Sequence, residues 1–571
     1  LDLAMRIEGC ARQTGVHAAG IVISPTPLTE WTALSVDPKT GKLITQYDMH
    51  AIEDAGLLKF DFLGIKNLSI LSDAVARVKE LHAHAIDIEN IPLDDPKTFA
   101  MLAAGITEGT FQLNGSGMTR YLKELQPTSI HDINAMVALY RPGPMETIPS
   151  YIERKKNPAL IRYLDDRMKE YLDASYGLLV YQDDVLLTAI KLGGYSWLEA
   201  DTLRKAMGKK IPAEMEAQKE KLLKGFREYG KLSPTKGEQL WKLIEPFAAY
   251  GFNKAHAACY GKVAYQTAYM KANYPVEYMA AVLTADAGDT ESIAIFVAEC
   301  GRLGIPILPP DVTESGTDFT AIRASDEYPK GAIRFGLSSI KNFGDGIAHA
   351  ILEERKAHGG FTSLEDFLAR VSEKSLNRRS LESLIKCGAL DRFTDAEGGR
   401  AYLHTHIETL LAFHKDATAP KPQDSLFGAG ILTPTLHLPK STGTTPILDK
   451  LSWEKELLGM YVSGHPLEAH ASYRDKATTT LKNIKEHPEA GRVIILPVLI
   501  TEVKPHLTKG GDRMAFVKFE DMTESIESVI FQKLYKEHSG SIVPGTCILI
   551  KGTISIRNGE TTLAVENLKP I

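Results

Sequence analysis

The hydrophobic pattern changes its period along the chain, and this change limits the possible folds more than any other feature. Between residues 85 and 290, apolar side chains recur at helical spacing, as at 186–190 and 264–269, with short Gly or Pro breaks. From 491 onward the signal is that of short strands, at 493–503, 514–521, 525–531, 547–556 and 561–566. Five strands in so short a segment predict a small barrel, with the five-stranded OB type as the leading candidate.

The rest of the chain predicts a multidomain protein of mixed α/β and α+β class. A helix is expected through Arg12, followed by a Gly-rich turn at 14–20 and strands at 21–24 and 57–63, which together indicate an α/β sheet region. Residues 291–410 mix short strands with two helical hairpins. Between 415 and 449 there are five prolines and many threonines with little periodicity, which is typical of a linker.

Length and composition indicate several globular domains and exclude some classes of protein. At roughly 150 residues per domain, 571 residues suggest about four domains. The five cysteines are far apart and odd in number, which argues against a disulfide framework and fits the cytoplasm. The longest apolar run, at 493–500, is far shorter than the ~18 residues that span a bilayer. The first residue is Leu1 in what reads as the middle of a helix, and we interpret the chain as a fragment.

Charge is concentrated in one segment. The net charge is −6, yet residues 201–271 contain 14 Lys and Arg against 7 Asp and Glu. A local excess of this size predicts that a polyanion binds there.

One carboxylate stands out in the first region, in Leu-Leu-Lys-Phe-Asp-Phe-Leu-Gly at 57–64. Strand alternation places Leu58, Phe60 and Phe62 on one face, with Lys59 and Asp61 on the other. Asp61 is interpreted either as an Asp that pairs with a neighbouring Lys or caps the next helix, or as a magnesium ligand. A single Asp cannot hold two metal ions, and partner carboxylates are not evident nearby.

A basic helix and the start of the following one are candidates for phosphate binding. Lys205 and Lys209 lie four residues apart on one face of the first, which also carries Arg204 and Lys210. The alternative is a solvated basic face. At the second helix, backbone amides and the side chains of Asn253, Lys254 and His256 are candidate phosphate ligands; His256 is alternatively a structural histidine. His17 is interpreted as structural unless it faces a metal site.

Residues 338–351 read as helix, tight turn and helix. Such a hairpin exposes backbone amides to one phosphate and binds DNA without sequence preference. The candidate residues are Asn342, Phe343, Gly344 and Gly346, and Asn342 stands where a Gly is usual. The alternative is a purely structural αα-hairpin. A second, weaker candidate lies at 376–390.

Two further segments suggest partners. Gln-Asp-Ser-Leu-Phe at 423–427 places two exposed apolar residues inside the Pro-rich linker, which favours a partner pocket. The terminal barrel combines cations with Phe516 and Phe519, which suits single-stranded DNA, although the two rings are alternatively core and several acidic residues oppose a polyanion. Its candidate DNA-binding cations are Lys504, Lys509, Arg513 and Arg557.

Four strings in order along the chain resemble the C-family replicative DNA polymerases of bacteria, in their DnaE-type branch. They are Lys-Phe-Asp-Phe-Leu-Gly (59–64), Ala-Leu-Tyr-Arg-Pro-Gly-Pro-Met (138–145), Leu-Arg-Lys-Ala-Met-Gly-Lys-Lys (203–210) and Tyr-Gly-Phe-Asn-Lys-Ala-His (250–256). The resemblance implies five regions: a partial palm (1–85), mainly helical fingers (86–290), a helix-hairpin-helix clamp-binding domain (291–414), a linker with a clamp-binding peptide and short helices (415–490), and an OB-fold nucleic-acid-binding domain (491–571).

The resemblance also implies a function: template-directed addition of dNTPs to a primer 3′ end by two-metal phosphoryl transfer with Mg²⁺. Asp61 matches the third metal-binding aspartate of the palm, and the family's first two lie in an Asp-x-Asp motif upstream of residue 1. The chain alone is therefore expected to be inactive, and a catalytically silent DNA- and clamp-binding scaffold is the alternative.

The resemblance assigns roles to the remaining candidates. Arg204, Lys205, Lys209 and Lys210 would face the incoming triphosphate, and Gln423, Leu426 and Phe427 would bind the sliding clamp. The implied partners are primer-template DNA, single-stranded template, dNTP, the clamp and other replisome subunits, with no membrane.

Overall fold

The computed structural model describes residues 2–10, 15–17, 19–209, 212–245, 251–371, 376–394, 399–419, 435–439, 443–507, 513–557 and 560–571. Several sequence candidates lie outside these residues: Lys210, Gln423, Leu426, Phe427 and Lys509. Lys209 and Arg557 end described elements, but their side chains are not described. The chain divides into two compact units, Leu1–Ser69 and Ile70–Ile571.

The first unit contains short elements. They are α1 (Asp2–Ile7), β1 (Gly20–Ile23), β2 (Leu34–Val36), β3 (Leu43–Thr45), α2 (Ala51–Asp54) and β4 (Leu58–Asp61). β1 pairs antiparallel with β4, with Gly20 opposite Asp61, and β2 pairs antiparallel with β3. The prediction of a helix through Arg12 was wrong, because α1 ends at Ile7 and Gly9 follows with a φ of +84°, which a helix does not accommodate.

The mainly helical region expected from the sequence is present. Its helices are α3 (Lys66–His82), α4 (Pro96–Ala103), α5 (Ser116–Leu125), α6 (Ile130–Leu139), α7 (Ile148–Lys156), α8 (Lys169–Leu172), α9 (Gln182–Gly193), α10 (Trp197–Lys209), α11 (Pro212–Glu228), α12 (Pro234–Ile244), α13 (Lys254–Asn273), α14 (Pro275–Ala285) and α15 (Thr290–Leu303). The long helix α13 packs closely on α6 at Gly261. A Cβ at this position would overlap the side chain of Asn134, so a glycine is required for the close approach.

The next region combines a small sheet with helices. β5 (Ile307–Leu308), β6 (Thr320–Ile322) and β7 (Ala332–Arg334) form a three-stranded sheet in the order β5-β7-β6. The helices are α16 (Asp345–His358), α17 (Leu364–Arg370), α18 (Arg378–Cys387), α19 (Gly399–Thr405), α20 (Ile407–Thr418), α21 (Ile447–Leu458), α22 (Ala471–Arg474) and α23 (Leu481–Glu486).

The hairpin at 338–351 differs from its prediction in its first half. A short 3-10 turn, Leu337–Ser339, replaces the first helix, because only a few residues separate the end of β7 from the turn at Asn342. The second half is the expected helix, α16. The weaker candidate at 376–390 contains the single helix α18 rather than a second hairpin.

A buried network joins the helices on either side of residues 420–442. The guanidinium of Arg400 donates to Asp391 (2.7 Å) and to Glu454 (2.8 Å), and the Ser463 hydroxyl also donates to Glu454. Arg400 and Glu454 are almost completely buried. The network therefore fastens α19 to α21 by charge and hydrogen bonds inside the core.

The five predicted strands are confirmed and close into a barrel. β8 (Val493–Leu507), β9 (Arg513–Glu520), β10 (Ser525–Ile530), β11 (Cys547–Arg557) and β12 (Glu560–Pro570) are ordered β10-β12-β11-β8-β9. The pairing of β10 with β12 is parallel, and the short helix α24 (Gln532–His538), which the sequence analysis did not predict, precedes β11. Inward side chains such as Ile494 and Val498 form the core.

In the described part of the chain, no helix is both long and apolar enough to cross a bilayer.

Candidate nucleotide and DNA interface

Asp61 lies at the end of β4 with its side chain about half exposed. Its carboxylate is 3.8 Å from Nζ of Lys59 and 3.8 Å from Nδ1 of His17. His17 therefore faces the one carboxylate that the sequence singled out. The described residues contain no cluster of three or more Asp, Glu, His or Cys side chains that could hold a metal ion. Asp61 could therefore supply one ligand to such an ion, but it does not form a complete metal site with other described residues.

The basic helix α10 is partly neutralised within itself. Arg204 and Lys205 both form ion pairs with Asp201, at 2.8 and 2.9 Å. Hydrogen bonds from Lys205 and Arg204 lower the pKa of the Asp201 carboxyl. Both cations remain substantially exposed, and together they leave one net positive charge on this turn. The Lys205 side chain thus extends towards the start of α10, where its partner Asp201 lies.

Two of the four strings meet in space. The guanidinium carbon of Arg141, from 138–145, lies 4.2 Å from the ring centroid of Phe252, from 250–256. The backbone carbonyl of Phe252 also accepts a hydrogen bond from the Gln182 amide at 2.9 Å. Phe252 and Tyr181 form an isolated parallel β-bridge. A cation over an aromatic face stabilises the contact by about 0.5–2 kcal/mol. Phe252, two residues before α13, is thereby fixed by two separate parts of the chain.

Two backbone amides at the start of α13, those of Lys254 and His256, already have acceptors. The Asn253 side chain accepts from the His256 amide at 2.9 Å, and the Asp183 carboxylate accepts from the Lys254 amide at 2.9 Å. Each of these two amides therefore donates within the protein, and the prediction that phosphate binds here rests on the side chains. The side chains of Lys254 and His256 remain exposed and are the groups left to meet an anion.

His256 belongs to an aromatic series rather than to a buried pocket. Its ring centroid lies 5.0 Å from that of Phe252 and 4.1 Å from that of Tyr260, and Tyr260 contacts Phe111 at 5.3 Å. The histidine is nevertheless exposed. Two aromatic rings contact it, while the side chain stays exposed to solvent.

Asp184 is a buried residue beside the contact between the start of α9 and the start of α13. Its carboxylate accepts the amides of Val180 and Tyr181, each at 2.9 Å, and is almost fully buried. Burial raises the pKa of this carboxyl to about 6, although the two amide hydrogen bonds and nearby Lys254 lower it. The sequence analysis missed Asp183 and Asp184, and the available signal was an acidic pair at the start of an apolar helix.

The hairpin turn presents open amides. Asn342 has a φ of +66°, as expected for a residue that replaces Gly in a left-handed turn. Gly344 is the N-cap of α16, and this helix start has no side-chain cap. A Cβ on Gly344 or Gly346 would meet nothing within 4 Å. The Phe343 side chain is buried in the core, and its backbone amide donates to the Ile340 carbonyl at 3.1 Å.

The barrel separates the two aromatic candidates. Phe519 is fully buried, whereas Phe516 is 46% exposed and its ring lies 5.7 Å from that of His506. Lys504 pairs with Glu502 at 2.8 Å. Two of the acidic residues that oppose a polyanion are also partnered: Glu524 contacts Lys485, and Asp521 accepts backbone amides, including that of Leu481. Phe516 and His506 therefore form the exposed aromatic pair of this surface.

Family profiles match four parts of the chain. Residues 1–64 match "Bacterial DNA polymerase III alpha NTPase domain", and residues 67–230 match "Bacterial DNA polymerase III alpha subunit finger domain". Residues 304–400 match a helix-hairpin-helix motif, and residues 497–571 match an OB-fold nucleic acid binding domain.

Curated relatives match along nearly the whole chain. The DNA polymerase III subunit alpha of Thermus aquaticus is 42% identical over 94% of the chain and 43% of that protein. The subunits of Saccharopolyspora erythraea and Aquifex aeolicus are both 38% identical over 100% of the chain, and cover 48% and 46% of those proteins. The chain thus spans about half the length of the curated relatives it matches.

Proposed function

Because the chain belongs to the bacterial DNA polymerase III alpha-subunit family, we propose that it is part of a replicative DNA-directed DNA polymerase. In this proposal it contributes to the template-directed addition of dNTPs to a primer 3′ end during chromosome replication, which would take place in the cytoplasm. The observation that carries the proposal is the contact of Arg141 with Phe252. It joins two of the strings just before α13, whose first turn carries the exposed side chains of Lys254 and His256.

We assign nucleotide binding to side chains rather than to helix amides. Lys254 and His256 would contact the triphosphate, since the Lys254 and His256 amides are taken by Asp183 and Asn253. Arg204 and Lys205 would add one net positive charge, and Lys209 and Lys210 extend this series. Cations held in place before the reaction stabilise the charge that develops as pyrophosphate leaves.

We assign duplex binding to the hairpin at Asn342. Gly344 has an ordinary negative φ of −84°, and neither Gly344 nor Gly346 is required by a neighbouring atom. A glycine that the fold does not need permits close approach of another backbone, and here the uncapped helix start suits a DNA phosphate. This DNA surface would comprise Asn342, Gly344 and Gly346, with the buried side chain of Phe343 holding the turn in the core.

We assign single-stranded template to the barrel. Phe516 offers an exposed ring on which a base can stack, and His506 lies beside it. Lys504, Lys509, Arg513 and Arg557 would contact the backbone of the strand.

Mg²⁺ is proposed as the cofactor of the whole enzyme, in which Asp61 would be one of several ligands. The described residues do not by themselves fit a metal ion.

Gln423, Leu426 and Phe427 are proposed to bind the sliding clamp, and other replisome subunits are further proposed partners. The position of Gln423, Leu426 and Phe427 in the Pro-rich linker supports the assignment to the clamp, since exposed apolar residues there have no core to join.

Steady-state primer extension by the complete polymerase tests the nucleotide assignment. Lys254→Ala should raise the KM for dNTP by roughly ten- to hundredfold, because a charged contact to phosphate contributes about 1.5–3 kcal/mol. Lys262→Ala is the matched control, since Lys262 lies on the same helix and pairs with Glu89 at 2.7 Å. An equal KM for both variants would remove Lys254 from the site.

The second candidate function, a DNA- and clamp-binding scaffold without catalysis, is favoured by the single metal-ligand candidate among the described residues. Primer extension by the full-length protein that contains this chain separates the two, because only the polymerase proposal expects activity there. Extension by that protein would exclude the scaffold, and its absence would exclude the polymerase.

A further inference from the structure

Arg379 contacts the hairpin turn from a different helix. It is the second residue of α18, and its Nη2 donates to the side-chain oxygen of Asn342 at 2.5 Å. The two residues are 37 positions apart in sequence. Asn342 is the residue whose positive φ forms the turn. The guanidinium of Arg379 is thus hydrogen-bonded to the turn that precedes the uncapped start of α16.

The turn needs a cation if it is to hold a phosphate. Asp345 begins α16, and its carboxylate opposes any anion that approaches the first amides. Lys341 is exposed on the other side of Asn342. A guanidinium carries five N–H donors, and the contact with Asn342 uses one of them. Arg379 can therefore hold Asn342 and still donate to a phosphate oxygen.

We propose that Arg379 is a phosphate-contacting residue of the hairpin, where it binds the DNA backbone together with the amides at the start of α16. This inference rests on the proposed role of the hairpin in duplex binding. The helix-hairpin-helix profile covers both residues, since it spans 304–400.

The neighbouring Arg378 has a different environment. Its guanidinium forms an ion pair with Glu408 on α20. The two arginines have the same charge, the same helix and similar exposure, but only Arg379 reaches the turn. Arg378 is therefore a matched control for any general effect of removing a positive charge from α18.

A purely structural role for Arg379 makes a different prediction. If Arg379 only braces Asn342, a neutral glutamine that keeps a donor preserves its effect. If it contacts phosphate, the charge matters, and lysine in its place keeps the counterion release that glutamine loses.

The experiment measures binding of the chain to a fluorescein-labelled duplex by anisotropy over a series of NaCl concentrations. Arg379→Gln should weaken binding several-fold at low salt and make the slope of log affinity against log salt shallower by about 0.9, the value for one phosphate contact. Arg379→Lys should keep the slope of the unmodified chain. Arg378→Gln should change neither slope nor affinity beyond error.

A fourth variant separates failure of this inference from failure of the hairpin assignment. Gly346→Glu adds a carboxylate at the helix start, where a Cβ would meet nothing within 4 Å. If Gly346→Glu weakens binding but Arg379→Gln leaves the slope unchanged, the hairpin binds DNA and Arg379 only braces it, which overturns the inference. If neither change affects binding, the hairpin is not a DNA site and both proposals fall. Circular dichroism of each variant confirms that it is folded.

Discussion

The carboxylate of Asp183 accepts the backbone amide of Lys254 at 2.9 Å, although the two residues are 71 positions apart. This bond places a negative charge at the start of α13, the position where a phosphate would otherwise bind. It therefore occupies a donor that an anion could otherwise use, and it fixes the backbone from which the Lys254 side chain extends. By contrast, the start of α16 has no side-chain cap and stays open.

Removal of the Asp183 carboxylate should loosen the start of α13. Asp183→Ala is expected to destabilise the chain by about 1–2 kcal/mol, the usual effect of losing a helix-capping acceptor. Asp183→Asn keeps an oxygen acceptor and should lose less than half of that. Urea unfolding of the two variants and the unmodified chain measures the difference. Equal losses for Ala and Asn would mean that the charge, not the hydrogen bond, stabilises this junction.

Asp184 should make stability depend on pH. Its pKa is raised to about 6 in the folded chain, whereas the ordinary value is near 4. A raised pKa means that its stabilising contribution is complete below about pH 4 and is lost as the pH rises through about 6. Asp184→Asn cannot ionise, so relative to it the unmodified chain should lose up to about 3 kcal/mol between pH 4 and 7.

Urea unfolding of the unmodified chain and Asp184→Asn at several pH values in this range measures that difference. A constant difference in unfolding free energy would show that the carboxyl does not titrate there. Lys254 and Asp183 also face this carboxyl, so the comparison must use the single substitution alone.

The buried ion pair of Arg400 and Glu454 should be sensitive to loss of one partner. Arg400→Met leaves the Glu454 carboxylate buried without its cation, which is expected to cost about 3–5 kcal/mol. Arg378→Ala removes an exposed ion pair with Glu408 and should cost less than about 1 kcal/mol. Denaturant midpoints of both variants measure the contrast. A small effect of Arg400→Met would mean that Glu454 takes up a proton or finds water.

Asp61 can be tested in the complete polymerase. Asp61→Asn should nearly abolish primer extension and leave DNA affinity unchanged, because a neutral amide is a poor ligand for a divalent cation. Single-turnover extension and anisotropy with primed DNA measure the two properties. Normal extension would show that Asp61 is not a metal ligand, and that its contacts with Lys59 and His17 are its whole role.

The sequence predicted those parts of the fold that depend on local patterns. Five strands of alternating character formed the barrel, and Asn342 took the positive φ that a turn requires. The prediction of a first helix in the hairpin was wrong, since the few residues between β7 and the turn permit only a short 3-10 segment.

Contacts between distant residues could not be predicted in the same way. Arg141 with Phe252, Asp183 with Lys254 and Arg379 with Asn342 each join segments whose separation in space depends on the packing of several helices. Periodicity shows which face of a helix is buried, but it does not show which partner the face meets. The amides at the start of α13 illustrate the consequence, because an acceptor from α9 occupies a site that the sequence left open.

The peptide at 423–427 lies outside the described residues, and its role rests on sequence. A Pro-rich segment is partly extended before it binds, so docking Leu426 and Phe427 costs less ordering entropy than in a Gly-rich chain. Burial of two such side chains contributes ~3 to 6 kcal/mol before that cost, which makes micromolar affinity for a sliding clamp reasonable. Calorimetry with the cognate clamp should show binding by the unmodified chain and none by the Leu426→Ala, Phe427→Ala double variant. Affinity for primed DNA should be equal for both, because the motif is separate from the basic helix α10. Equal clamp binding by both chains would place the clamp contact elsewhere and leave this segment as a tether.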